Sequence, residues 1–191
     1  MKKLFALLFA AMMLLSLAAC GGGEGKTERP GKTDEPKVTL ETFEMTCEPD
    51  GVEEPAKATV GYPENFTMKQ QDWCVVLTDE SKDVEIEVYM TNDYNCYDVN
   101  QEYAKEEYFF YEEATFGSYK GYACMTDEES ATVEVYVYLG LVAEMDDVYM
   151  TFYISSASMD LDADPQALYK LPEVRQVLDS VVYTAPAEPA D

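Results

Sequence analysis

The chain's reactive side chains are few in kind. It holds five cysteines, 38 aspartates and glutamates, 15 tyrosines, one tryptophan and no histidine. Without imidazole there is no Ser-His-Asp or Cys-His relay, no histidine-bound metal and no ordinary switch near neutral pH. Cys47, Cys74, Cys96 and Cys124 are spaced by 27, 22 and 28 residues, too far apart for a zinc knuckle or a CxxC redox pair. Such an even set in an exported domain permits two disulfides in three connectivities, and at least one is expected. The alternative is free buried thiols, since Cys74 and Cys124 fall in predicted strands where a small apolar side chain fits. Asp160-Leu161-Asp162-Ala163-Asp164 places carboxylates like the start of a calcium loop. Pro165 then stands where glycine should turn the chain, and Leu171 where a bidentate glutamate should stand. No metal is assigned, and Asp164 is read as the cap of the next turn. Asp146-Asp147 and Asp127-Glu128-Glu129 are read as solvated hairpin tips. Carboxylates are too numerous for any pair to stand out as a glycosidase couple. Serines lack a nucleophile elbow, and Gly21-Gly22-Gly23 is no phosphate loop. The expectation is no enzyme and no cofactor. What remains is aromatic: Tyr89, Tyr136, Tyr138, Tyr149 and Tyr153 fall on predicted strands opposite their apolar faces. They either fill a layer beneath helices or, with Trp73, form an amphipathic binding strip.

The elements that place these residues are mostly alternating. Thr39 to Cys47 puts Phe43, Met45 and Cys47 on one face, and Lys57 to Tyr62 is a strand stopped by Pro63. Phe66 to Met68 and Trp73 to Thr78 form a hairpin. Val84, Ile86, Val88 and Met90 alternate with acids, the mark of a half-buried antiparallel strand. Asp98 to Gln101 has the form of a capping box, which predicts a helix to about Glu113 with Val99, Tyr103, Phe110 and Ala114 on its buried face. Phe116 to Tyr119 and Gly121 to Met125 read as a bent pair around Lys120-Gly121. Thr132 to Leu141 and Val148 to Ser155 alternate again, joined by a loop at Glu144-Met145-Asp146-Asp147. Pro165 opens a short turn and Pro172 the last helix, whose Val174, Val177, Leu178 and Val181 share one face. This order predicts an α+β fold, a mainly antiparallel sheet with an internal and a C-terminal helix packed on it, sandwich-like in layers.

Before these elements, Lys2-Lys3, the apolar run Leu4 to Leu15 and the small residues before Cys20 have the form of an export signal. The apolar run is too short to span a bilayer comfortably. Leu17-Ala18-Ala19-Cys20 resembles a bacterial lipobox, in which the cysteine is joined to diacylglycerol and becomes the first mature residue. Gly21 to Pro36 is a polar run with no large apolar residue, as in a flexible tether. The organisation expected is a signal peptide over 1–19, lipidated Cys20 and tether over 20–36, one α+β domain over 37–184 and a disordered tail over 185–191. The net charge is −25, and residues 1–19 contribute two lysines and no acid to it. The exported part therefore carries 11 basic against 38 acidic groups. That excludes nucleic acid as a partner and excludes charge as the hold on anionic lipid. Acyl chains need no such help.

Val60-Gly61-Tyr62-Pro63-Glu64-Asn65-Phe66 resembles the opening of PsbP/DcrB-like α/β/α domains. Phe116 to Ala123 is similar to their mid-domain segment with glycine before a strand. Leu171 to Tyr183, with Leu178-Asp179-Ser180-Val181, resembles their closing helix. The resemblance implies an antiparallel sheet with helices packed on it and says little about function, because the fold hosts accessory proteins and lipoproteins of many roles. The expectation is a lipid-anchored extracytoplasmic accessory or binding protein of the bacterial cell membrane, with an envelope protein or glycan, suitably cationic, as partner. A solute- or glycan-binding lipoprotein is the alternative, and a carboxylate-based hydrolase the weaker one.

Overall fold

A computed structural model describes residues 39–50, 52–142, 146–161 and 164–186, and only the backbone of Tyr94. The expected leader, Cys20, the tether, Glu144-Met145, Asp162-Ala163 and 187–191 of the tail lie outside the described residues. The elements run β1 (Leu40–Cys47), β2 (Ala56–Pro63), β3 (Thr67–Gln70), β4 (Val75–Asp79), β5 (Val84–Tyr94), α1 (Cys96–Glu107), β6 (Phe110–Phe116) and β7 (Tyr119–Met125). They continue with β8 (Thr132–Val142), β9 (Asp146–Ser155), α2 (Pro165–Tyr169), α3 (Pro172–Asp179) and β10 (Val182–Thr184). Every strand pair is antiparallel. One sheet has the order β3-β4-β5-β9-β8-β7-β6 and the other β1-β2-β10. The fold is α+β, as the alternation predicts.

The two faces of the large sheet are different in kind. Its inner face carries Val75, Leu77, Ile86, Val88, Val135, Met150 and Phe152, all fully buried. Phe43 and Met45 of β1, Ala58 and Val60 of β2, Leu168 and Tyr169 of α2 and Val174, Val177 and Leu178 of α3 close over it. This is the main core, and burying each large side chain there contributes about 1.5–3 kcal/mol. Ser180, just past α3, accepts the Gly61 amide at 2.7 Å and donates to its carbonyl at 2.9 Å, which fixes the helix end on β2. The Asp164 side chain accepts from the Gln166 amide at 3.1 Å, so it caps α2 as expected.

The internal helix differs from its prediction. α1 begins at Cys96 and ends at Glu107, and Asn95 before it is left-handed at φ 55°. The supposed capping box therefore lies inside the helix. Val99 and Tyr103 are 62% and 59% exposed, and Tyr97 and Ala104 are the buried positions. Phe110 and Ala114 belong to a strand: Phe110, Ala114 and Phe116 turn toward the main core while Tyr111 and Glu113 turn outward. The β6–β7 turn sits at Gly117-Ser118, where Gly117 takes φ +57°, a conformation glycine adopts without penalty. Gly121 is inside β7. A Cβ there would overlap the carbonyl oxygen of Tyr136, so only glycine lets β8 lie this close. The segment Val182–Thr184, which carries no strand expectation, adds an edge strand to β2.

Candidate functional site

The outer face of the large sheet gathers the tyrosines. Tyr89 on β5 pairs across to Thr151 on β9, Thr151 to Tyr136 on β8, and Tyr136 to Tyr122 on β7. The next row runs Glu87, Tyr153, Glu134, Cys124, and the row on the other side Thr91, Tyr149, Tyr138. All five strand tyrosines of the sequence reading thus share one surface. Side chains in such registers stand close enough to stack or hydrogen-bond. Tyr122 and Tyr136 do stack, with centroids 4.7 Å apart and rings 11° from parallel.

Helix α1 covers only part of this face. Its Tyr97 ring lies 5.6 Å from Tyr122, 4.9 Å from Tyr138 and 5.9 Å from Tyr149. Asp147 holds the helix there, because its carboxylate accepts the Tyr97 amide at 3.2 Å and is 5% exposed. Asp147 also bonds the Tyr138 phenol. A solvated hairpin tip was the expectation for Asp147. It is instead the buried acceptor for an amide in the first turn of a helix that lacks a side-chain cap of its own. Asp146 is half-buried, and its side chain accepts the Asp50 amide at 3.1 Å. The tyrosine layer therefore has a covered half, with Tyr97, Tyr122 and Tyr149 buried, and a half-open side at Tyr89 and Tyr153.

On that open side lies a cleft of about 520 Å³. Tyr89, Tyr136, Tyr149 and Tyr153 supply its aromatic walls, Thr91 and Thr151 its hydroxyls, Glu87 a carboxylate and Asn100 a contribution from α1. Tyr89 and Tyr153 meet edge-to-face at 5.4 Å and 89°. Tyr89 donates to Glu87 at 2.7 Å, and Tyr136 donates to Glu134 at 2.7 Å. Tyr111 donates to Glu113 at 3.2 Å in the same two-residue spacing. A second hollow, about 610 Å³, lies by α1 between Tyr97, Gln101, Tyr138 and β6–β7, and it mixes Asp98 and Glu113 with Lys120.

The phenols of this layer are held in their neutral form. Burial raises Tyr149 to about 12, and Asp93, Cys96 and Asp147 add to the shift. Tyr89 is pushed up by its hydrogen bond to Glu87, then by burial and by Cys74. Burial and Glu134 push Tyr136 up. Burial raises Tyr153, with Glu134 adding to it and a hydrogen bond with Tyr136 opposing. Burial, Asp147 and Asp98 raise Tyr138. At ordinary pH these side chains stack, donate and accept; they do not act as phenolates.

Trp73 does not join them. It stands 71% exposed beside β4 and does not line the cleft. The cysteines also depart from expectation, since Cys47, Cys74 and Cys124 are buried free thiols and form no disulfide with one another. Cys47 faces the main core, where burial pushes its thiol up to about 11. Cys124 lies in the tyrosine cluster on the opposite face of the large sheet, raised by burial and Glu134, so the sheet separates the two. Among the described residues no group of three or more cysteine or carboxylate side chains converges to hold a metal.

Tyr97, Tyr122, Glu87, Glu134 and Asp147 were missed as site residues. A signal for two of them is in the sequence: Glu87-Val88-Tyr89 and Glu134-Val135-Tyr136 repeat an acid and a tyrosine two apart on one strand face. Comparison with family models, curated proteins and solved structures gives no match to this chain.

Proposed function

We propose that the chain is a lipid-anchored, extracytoplasmic domain of the bacterial envelope that binds another envelope component, without catalysis, through the open half of its tyrosine face. The observation that carries this reading is the incomplete cover of that face. A sheet face normally hides its aromatics in a second layer, yet here the layer stops at β9 and leaves a cleft walled by four tyrosines. The neutral phenols suit recognition, and the acidic surface suits a cationic partner. The anchor in this reading is diacylglycerol on Cys20, and a tether of the length of 20–36 spans at most roughly 60 Å. The resemblance to PsbP/DcrB-like domains fits an accessory role. The cleft's volume favours a second reading, a solute- or glycan-binding lipoprotein, because about 300–1,000 Å³ is the usual range for small-ligand sites.

Two experiments test the proposal. Cys20→Ala should move the protein out of the membrane fraction, and unchanged fractionation defeats the anchor. A photoreactive phenylalanine in place of Tyr153 should capture a discrete envelope component in living cells. The same probe in place of the exposed Ser118, at the β6–β7 turn, should not. Equal capture at both positions defeats the binding face.

A further inference from the structure

The geometry points to a ligand class: the cleft between β5, β8 and β9 recognises a compact alkylammonium group, primary or methylated. This rests on the reading of the open tyrosine face as the binding surface and goes beyond it by naming the group bound.

Three features of the cleft converge. First, ring faces are offered at right angles. Tyr89 and Tyr153 meet edge-to-face at 89° with centroids 5.4 Å apart, so they form two walls of a corner, and Tyr136 and Tyr149 extend it at 6.2 Å from each other. A cation in such a corner meets the negative face of more than one ring, each contact adding about 0.5–2 kcal/mol according to its desolvation. Second, among the described residues the only charged side chain lining the cleft is Glu87, with no lysine or arginine in the lining. Third, two of the four phenol protons are committed. Tyr89 gives its proton to Glu87 and Tyr136 gives its proton to Glu134, both at 2.7 Å. Donation to a carboxylate enriches the ring in electrons, which strengthens its hold on a cation.

An aromatic corner with one carboxylate and no cationic side chain among its described lining disfavours anions. A metal ion would need several oxygens in an inner shell, whereas the described lining offers one carboxylate, whose Oε2 already accepts from Tyr89. An ammonium group satisfies all three features, with N–H or N–CH₃ groups toward the rings and phenol oxygens and its charge near Glu87. A free solute and a lysyl side chain both carry this charge, and the chemistry at the cleft is the same for both.

The test uses the full chain in maltoside micelles, followed by tyrosine-ring NMR and calorimetry. The probes are tetramethylammonium, choline, the neutral tert-butyl analogue of choline, and N-acetyl-lysine methylamide with its acetylated counterpart. At least one ammonium probe should bind about tenfold more tightly than its neutral counterpart, shifting the Tyr89 and Tyr153 ring signals. Choline binding assigns a free solute and lysine-amide binding assigns a presented side chain; either supports the inference. Tyr153→Leu should lose about tenfold in affinity while Tyr153→Phe stays within about threefold. Glu87→Gln should weaken binding, and Tyr103→Leu, on the exposed side of α1, should not. Near-ultraviolet circular dichroism checks that each variant is folded. Equal binding of charged and neutral probes, or no binding of any ammonium probe, overturns the inference. A component captured from position 153 would in that case leave the binding-face reading standing, and absence of capture as well would remove both.

Discussion

Alkaline pH should unfold this domain through the late loss of its buried tyrosine protons. The perturbation is a rise from about pH 9 to about pH 12, across the ordinary phenol range. Tyr149 is the clearest case: it is 5% exposed, and burial followed by Asp93, Cys96, Tyr153 and Asp147 raises it from 10.0 to about 12. Tyr183, under the opposite side of the large sheet, is likewise raised to about 12 by burial and by Cys47 and Tyr119. The folded state keeps these protons after the unfolded state has lost them, so stability is full below about pH 10 and declines as pH approaches 12. For Tyr149 alone, that rise corresponds to about 3 kcal/mol. Tyr183 is more exposed, so its share is discounted for screening by solvent. Tyr89, Tyr97, Tyr122, Tyr136 and Tyr169 are raised in the same direction. Against a typical stability of about 5–15 kcal/mol, a few such phenols suffice to melt the domain. The assay is phenolate absorbance recorded beside near-ultraviolet circular dichroism, with urea midpoints at each pH. Late-titrating phenols should ionise in one step that coincides with loss of the dichroism, after the urea midpoint has fallen steadily. A single ordinary phenol titration with unchanged dichroism would refute the reasoning.

Other perturbations follow from the same layer. Tyr122 is fully buried and its hydroxyl has no hydrogen-bond partner among the described residues, so Tyr122→Phe should leave thermal stability unchanged or raise it by about 1 kcal/mol; a loss of that size contradicts the placement. Asp147→Ala removes the acceptor of the Tyr97 amide and Tyr138 phenol and should cost about 3 kcal/mol in urea unfolding. It should also speed amide exchange across α1 more than in β9 itself, while Asp147→Asn should cost less. Gly121→Ala forces a methyl onto the Tyr136 carbonyl and should destabilise by about 3 kcal/mol or abolish soluble folding, as read by thermal melting.

How far the sequence led is clearest at particular elements. β5, β8 and β9 were legible because Val and Ile alternate with acid and tyrosine, and a period of two leaves one choice of face. The same alternation placed Tyr89, Tyr136, Tyr138, Tyr149 and Tyr153 together. Residues Phe110 to Phe116 misled because Glu112 stands on the core side of the strand. There it meets the Tyr169 hydroxyl and Lys170, so a polar residue breaks the apolar stripe for a tertiary reason. The start of α1 was hidden for a similar cause. Its amide is satisfied by Asp147, fifty residues away, and not by a neighbour in sequence. Local capping rules see only the nearby Asp98. Whether the tyrosine layer would be covered depended on where α1 lies, and its first turn is placed by Tyr97 packing against Tyr122, Tyr138 and Tyr149, which no periodicity reports. The four cysteines carried no pairing signal, and the sheet that separates Cys47 from Cys124 appears only once strands are in register.

The central claim is that the open tyrosine face is occupied in the envelope. Residue-level tyrosine footprinting measures this directly, by comparing labelling of the protein on intact cells with that of the purified chain. Tyr89 and Tyr153 should be protected on cells while Tyr103, 59% exposed on α1, labels equally in both. Equal labelling of Tyr89 and Tyr153 in the two settings would contradict the account.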